Sequence, residues 1–383
     1  PAGERAVKIA TMVAELPPRI DGIGDYAARI SRELARTDQV AVYANDVHPH
    51  DPMPGVSVVP SFRYDPAASV RAVADRVAAD PPDWFLLQYN PFAYGRRGFN
   101  PHLVAMARRI ARVPGVRLGL MVHERHVPAH TPRFFVMHLW QRPQFLALAD
   151  TARLVLFSTD VWMDDLRRRL PRTPMRLAAI GSAVPDVGMG RDEARARLGI
   201  PEGAVALGFF GTAHISKSLG HVAAAAKAVR AAGRDVRVLH VGPKADALRD
   251  ALGDIPLIAD GALPPDEVSR RFAAMDLQLC PFVDGVATRR SSMMTGLQHG
   301  IATVGTRGFF TGETLLRHDG EAMLLAEVDD ADGFAGHAAT LAADDSLRAR
   351  IGAAGRALYD AEFAYPVLAQ RLRRDLVDAA GER

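Results

Sequence analysis

Short, continuously apolar runs alternate with amphipathic stretches along nearly the whole chain, and the alternation happens twice. Val7–Val13, Val40–Tyr43, Val56–Pro60, Trp84–Gln88, Arg117–Val122 and Leu154–Ser158 each read as a short buried strand. Helical periodicity fills the gaps at Asp25–Arg36, Ser69–Ala79 and Pro101–Ile110. Strands that are apolar along their length, separated by helices, predict a parallel sheet covered on both faces. The pattern weakens over Pro185–Gly203, where proline, glycine and charge dominate. It restarts with Ala204–Phe210, Val236–Val241, Leu257–Ala259, Leu277–Pro281, Ile301–Thr306 and Ala322–Leu325. The expected fold class is therefore α/β, with two doubly wound Rossmann-like domains facing a cleft. Their expected limits are residues 1–186 and 187–365, with a last helix in 366–383 placed to cross back to the first domain. Ligands of such sheets bind outside the carboxyl ends of the strands.

Composition narrows the function. The 383 residues are 48% hydrophobic and 24% charged, an ordinary globular balance that excludes wholesale disorder. One cysteine, Cys280, rules out an internal disulfide framework. A net charge of +3 argues against a dedicated nucleic-acid binder, while the pI of about 9.2 leaves room for a local anion site. No apolar run approaches the ~20 residues that span a bilayer. The opening Pro-Ala-Gly-Glu-Arg does not read as a signal peptide, so a soluble cytoplasmic protein is expected. There is no repeat at solenoid periods.

Two glycine loops stand out. Gly22-Ile-Gly24-Asp-Tyr-Ala27 matches the dinucleotide fingerprint G-x-G-x-x-A, and Asp46 ends the next strand where a ribose-binding acid would sit. The fingerprint needs its first glycine at the turn leaving the strand. Here Ala14–Asp21 intervenes with two prolines, so the spacing is wrong for NAD. What remains is a glycine loop heading a helix, whose bare N–H groups suit a phosphate or a sugar hydroxyl, or which merely turns the chain. In the second half, Phe209–Lys217 leaves a strand and delivers a lysine to the mouth of a helix. Only four of the 47 basic residues are lysine, so its placement there is informative, although a solvated lysine is the plain alternative.

The most specific stretch is Pro281–Ser292. Arg289, Arg290, Ser291 and Ser292 run from the end of a strand into a short helix. Guanidinium forks, hydroxyls and free helix N–H groups are the parts for holding a diphosphate. A surface arginine pair is the alternative reading. Lys217 and the two arginines both follow carboxyl ends of strands, which allows them to converge.

Together these pieces resemble the GT-B glycosyltransferases, in particular the glycogen-synthase-like family 4 (group 1) that retains anomeric configuration. Members look like G-G-x-G-x-Y-A after the first strand, matched by Asp21-Gly22-Ile-Gly24-Asp-Tyr26-Ala27. Their second domain opens with Gly-Arg-x4-Lys-Gly; here Gly211, Thr212 and Lys217 keep the lysine without the arginine. One bacterial branch carries Asp-Gly-x-Ser-x-Arg-Arg-Gly-Ser, to which Asp284-Gly285-Val-Ala-Thr-Arg289-Arg290-Ser291-Ser292 is similar. That branch also tends to show Gln-Tyr-x-Pro-x-x-Tyr-Gly, present from Gln88 to Gly95, and a His-Glu, here His123-Glu124.

The resemblance implies a metal-independent, hexosyltransferase-type enzyme with no bound cofactor, a nucleotide diphosphate-sugar being its co-substrate. It puts the diphosphate on Gly211, Lys217, Arg289, Arg290, Ser291 and Ser292, and the base and ribose near Gly242, Gly261 and Leu263. It puts the acceptor, a small molecule or glycan from natural-product or polysaccharide biosynthesis, against Gly22, Gly24 and Tyr89. His123 and Glu124 are the expected catalytic residues. The chain departs from the family at the Glu-x7-Glu pair, which would fall on Ala287 and Thr295. A non-catalytic nucleotide-sugar binder, or a partner subunit, is the competing expectation, with a nucleotide-sugar epimerase behind it. His123, His126 and His130 with Glu124 lack metal-site spacing, so no metal is expected.

Overall fold

The computed structural model describes residues 5–63 and 67–381. The chain forms two compact units: one runs to Ala179 and resumes at Tyr365, and the other is Ile180–Ala364.

Among the described residues, the first unit has the strands β1 (Lys8–Met12), β2 (Gln39–Asn45), β3 (Val56–Phe62) and β4 (Trp84–Tyr89). These are followed by β5 (Arg117–Val122), β6 (Leu154–Phe157) and β7 (Met175–Leu177). All pair in parallel, in the order β3-β2-β1-β4-β5-β6-β7. The helices between them are α1 (Gly22–Leu34), α2 (Arg71–Ala79), α3 (Pro101–Ile110), α4 (Pro132–Thr151) and α5 (Val161–Arg167). The second unit has β8 (Val205–Phe210), β9 (Val236–Val241), β10 (Leu257–Ala259), β11 (Leu277–Cys280), β12 (Ala302–Arg307) and β13 (Leu324–Glu327). Their order is β10-β9-β8-β11-β12-β13, again all parallel. Its helices are α6 (Arg191–Leu198), α7 (Leu219–Ala231), α8 (Asp246–Leu252), α9 (Pro265–Ala273), α10 (Ser291–Gln298) and α11 (Glu313–Leu316). Two longer ones follow, α12 (Ala331–Ala343) and α13 (Asp345–Leu358), before α14 (Tyr365–Gly381) rejoins the first unit.

The apolar runs form strands because both of their faces are covered. Every residue of β4 is buried, and in the second unit Leu207, Val238, Leu277 and Val304 meet Val222, Val229 and Phe334 in one core. Both sheets share one winding order. Each reverses direction beside its first strand, between β1 and β4 and between β8 and β11. Those two reversals are where a doubly wound sheet opens a crevice for a ligand.

Four features differ from the sequence reading. Helix α1 begins at Gly22, because the Asp21 side chain accepts the Gly24 N–H at 2.7 Å and caps it. Strand β7 was not anticipated, and α6 lies within the stretch where the pattern weakened. The chain joins the second unit at Ile180, whose N–H donates to the Thr288 carbonyl at 2.9 Å. Helix α14 packs on α1, and Arg373 reaches the buried Asp38 carboxylate at 3.0 Å.

Candidate functional site

In the second unit, the reversal between β8 and β11 gathers the cations singled out in the sequence. Gly211 follows β8 at φ +91°, a left-handed backbone that glycine adopts without steric cost. A Cβ there would stand 2.7 Å from Lys217 Nζ, so the glycine also leaves the space the lysine fills. Lys217 folds back to donate to the Phe210 carbonyl at 2.5 Å, with the rings of Phe209 and Phe282 5.0 and 5.6 Å away. Burial lowers its pKa to about 8, and the charge of Arg290 acts in the same direction.

Phe282 is shared. The Arg290 guanidinium lies 4.4 Å over the same ring, and Arg289 lies 4.7 Å over Phe310. Between the two arginines sits Asp284, 2.6 Å from Arg290 Nη2 and 3.1 Å from Arg289 Nη2. The structure thus brings Lys217, Arg289 and Arg290 into one cluster, in which Asp284 pairs with both arginines. Helix α10 opens beside them with Arg290 at its N-cap and no side chain capping it. Among the described residues the amides of Ser291 and Ser292 make no hydrogen bond. Their hydroxyls differ from expectation, since Ser291 Oγ already accepts from the Ala183 amide at 2.9 Å.

Gly242 and Gly261 bridge one another beyond β9 and β10. A Cβ on Gly242 would lie 2.4 Å from the Gly211 carbonyl oxygen, so Gly211, Gly242 and Gly261 form one glycine-lined rim. Leu263 packs instead against the core beneath. The Gly211 carbonyl accepts from His240 Nε2 at 3.0 Å, and that buried imidazole stacks on Phe209. Sequence reasoning missed His240, which looks like any residue of an apolar strand.

Ala287 and Thr295 are both fully buried. Thr295 Oγ1 donates to the Ser291 carbonyl and lies 3.0 Å from Ser182 Oγ. Neither position faces open space.

In the first unit, the reversal between β1 and β4 holds a cavity of about 330 Å³. It is lined by Val13, Ala14, Glu15, Asp21, Ile23, Gln88, Asn90, Phe92 and Ala93. The expectation of bare N–H groups at Gly22 and Gly24 is corrected here: Asp21 occupies the Gly24 amide. Gly24 is needed for contact, because a Cβ would meet the Glu15 carbonyl oxygen at 2.5 Å. Tyr89 is also corrected. It is fully buried, its ring 5.8 Å from Phe145, and it does not line the cavity.

His123 is buried at the end of β5, against the edge of Tyr26 at 5.3 Å. Its proton position follows from a chain of hydrogen bonds. Thr11 Oγ1 donates to the Leu86 carbonyl and so accepts from Gln88 Nε2 at 3.0 Å. That turns Gln88 Oε1 toward His123, 2.8 Å away, so His123 Nε2 carries the proton and Nδ1 the lone pair. Burial lowers the pKa of His123 to about 3, so the ring is neutral. Glu124 is exposed just beyond it. Among the described residues, no group of three His, Cys, Asp or Glu is placed to hold a metal ion, and no helix is long and apolar enough to cross a membrane.

No family model matches this chain, and no curated protein sequence matches it. Solved structures do. Sucrose-phosphate synthase from Thermosynechococcus elongatus has a TM-score of 0.73 at 15% identity, over 97% of this chain and 99% of that one. Anabaena Alr3699/HepE in complex with UDP-glucose has a TM-score of 0.71 at 14% identity, over 97% of this chain and 100% of that one. A glycosyltransferase from Rickettsia africae follows at 0.72 and 9% identity, over 99% and 100%. The fold is GT-B. At these identities the likeness shows the architecture of the two sheets.

Proposed function

We propose that this GT-B chain is a glycosyltransferase that takes a sugar from a nucleotide diphosphate-sugar, with retention of configuration. The observation that carries the reading is the convergence of Lys217, Arg289 and Arg290 beside the uncapped start of α10. That cluster suits two phosphates. Guanidinium and ammonium groups supply charge-assisted hydrogen bonds, and the helix N-terminus supplies amides and the positive end of its dipole. Nucleotide-sugar complexes known for a GT-B neighbour, HepE with UDP-glucose, support the same reading.

In the transfer, the bond from the anomeric carbon to the diphosphate oxygen breaks and a bond to an acceptor hydroxyl oxygen forms. The acceptor proton leaves with the diphosphate. Charge develops on the departing oxygen, and preorganised cations beside it lower the barrier without a metal ion. The neutral His123 offers Nδ1 as an acceptor for a sugar or acceptor hydroxyl, and Gln88 and Thr11 hold it in that state. The cavity beside β1 and β4 suits a small polyhydroxylated acceptor, with Glu15, Asp21, Gln88 and Asn90 as its polar lining.

Because Ala287 and Thr295 are buried and not acidic, donor hydroxyls lose two partners found in typical members. We infer a preference for deoxygenated or amino sugars on the donor. The same observation favours the second reading, a GT-B protein that binds nucleotide sugar without transfer. Incubation with a panel of UDP-, GDP- and dTDP-sugars, scored for transfer and donor hydrolysis, separates the two. Turnover that favours deoxysugar donors supports the enzyme. Binding with no turnover across the panel and a broad set of acceptors supports the second reading. A clear preference for UDP-glucose or GDP-mannose would end the altered-donor idea and leave the reaction class standing.

A further inference from the structure

The first unit carries an apolar surface with basic edges that the transfer chemistry does not use. Phe99, Phe135, Val136 and Leu139 are each between 50% and 58% exposed, an unusual density of large apolar side chains on one short helical face. Three of them lie within the first two turns of α4. The fourth is fixed beside them, because the Phe99 ring meets the edge of Trp140 at 6.3 Å. The single 3-10 turn Arg96–Gly98 is pinned to the same helix. Trp140 Nε1 and Gln141 Nε2 both donate to the Arg97 carbonyl, at 3.1 and 2.9 Å.

That docking puts arginines around the apolar residues. Arg96 and Arg97 lie on the pinned turn, and Arg133 and Arg142 on α4. Among the described residues, none of the four makes an ion pair, although arginines elsewhere in the chain commonly do. The bias extends along the sequence. From Trp84 to Ala149 there are nine arginines and one carboxylate, Glu124, in a chain whose overall net charge is only +3. Positive charge is concentrated where apolar side chains are exposed.

We propose that this face of α4, with the Arg96–Gly98 turn, docks on the surface of an anionic lipid bilayer. A negative headgroup layer over hydrocarbon complements arginines rimming phenylalanine, valine and leucine, and a half-buried tryptophan suits the boundary between the two. Hydrophobic insertion and charge attraction act together, the two signals that stable peripheral binding requires. The proposal does not depend on the proposed transferase activity.

The test is flotation of the full chain with vesicles of equal parts phosphatidylglycerol and phosphatidylcholine, against vesicles of phosphatidylcholine alone. The expected result is binding at least about tenfold stronger to the anionic vesicles, weakened by salt. The triple variant Phe135→Ser, Val136→Ser, Leu139→Ser should lose about tenfold on the same vesicles while melting like the parent. Should the triple variant fail to fold, Trp140 fluorescence in the unaltered chain gives an independent reading, since Trp84 and Trp162 are buried. A blue shift confined to anionic vesicles supports the proposal. No binding to anionic vesicles at low salt, or a folded triple variant that floats as well as the parent, overturns it. So does self-association in sedimentation that the triple variant abolishes without any vesicle binding, which would assign the face to a second copy.

Discussion

Arg290 and Asp284 are joined through one guanidinium nitrogen, with both carboxylate oxygens within reach at 2.6 and 2.8 Å. The guanidinium of the same arginine lies 4.4 Å over the Phe282 ring, which also faces Lys217. The carboxylate and the ring therefore fix two of the cations before any ligand arrives. Side-chain ordering that binding would otherwise cost is already done.

Lys217 makes the site sensitive to pH. Its folded-state pKa of about 8 lies below the ordinary lysine value of 10.5, so the unliganded lysine sheds its proton as pH rises through 8. A bound diphosphate holds the proton on. Affinity for UDP should therefore fall from pH 7.5 to pH 9.5, by up to about tenfold per pH step above 8. Calorimetry across that range checks it, and Lys217→Met should flatten the profile.

Gly211 supports that lysine from below. Gly211→Ala meets a positive φ and a Cβ 2.7 Å from Lys217 Nζ. The backbone alone should cost about 1–2 kcal/mol, measurable by urea unfolding. Displacement of the lysine should weaken diphosphate binding in addition.

His123 should shape acid stability. Its folded pKa of about 3 lies below the ordinary 6.5, so between those values the unfolded chain binds the extra proton. Stability conferred by this group is present above pH 6.5 and falls as pH drops toward 3, by an amount on the order of 5 kcal/mol. The acid limb of a pH-unfolding series should be shallower in His123→Asn. Equal slopes would show that His123 is not held neutral.

Placing acids at the two positions where the resembled glycosyltransferases carry them should fail structurally. Ala287→Glu and Thr295→Glu each place a carboxylate where nothing is exposed, and the second also removes the Thr295 contact with Ser182. Each should lower stability by about 3 kcal/mol or more. Thermal unfolding reads this directly.

The two sheets are legible in the sequence because their inner strands, such as β1, β4, β5, β8 and β11, are covered on both faces, and continuous apolar runs follow from that. Helix α6 is not legible for a specific reason. Its buried side carries Arg195, paired to the buried Asp276 at 2.9 Å, so the face that packs inward reads as polar. Lys217, Arg289 and Arg290 are visible as residues at strand ends. Their gathering around Phe282 and Asp284 is not, because it depends on which strands are neighbours. Tyr89 misleads in the opposite way. A polar tip at the end of a strand suggests contact with a ligand, yet the ring is enclosed beside Phe145.

Lys217, Arg289 and Arg290 form the proposed nucleotide diphosphate site of the second unit. Calorimetric titration of UDP, GDP and dTDP into the parent chain and the double variant Arg289→Ala, Arg290→Ala tests it most directly. At least one of these nucleotides should bind the parent, and the double variant, still folded, should bind it at least about thirtyfold more weakly, as two charge-assisted contacts require. Unchanged affinity in the folded double variant would contradict it.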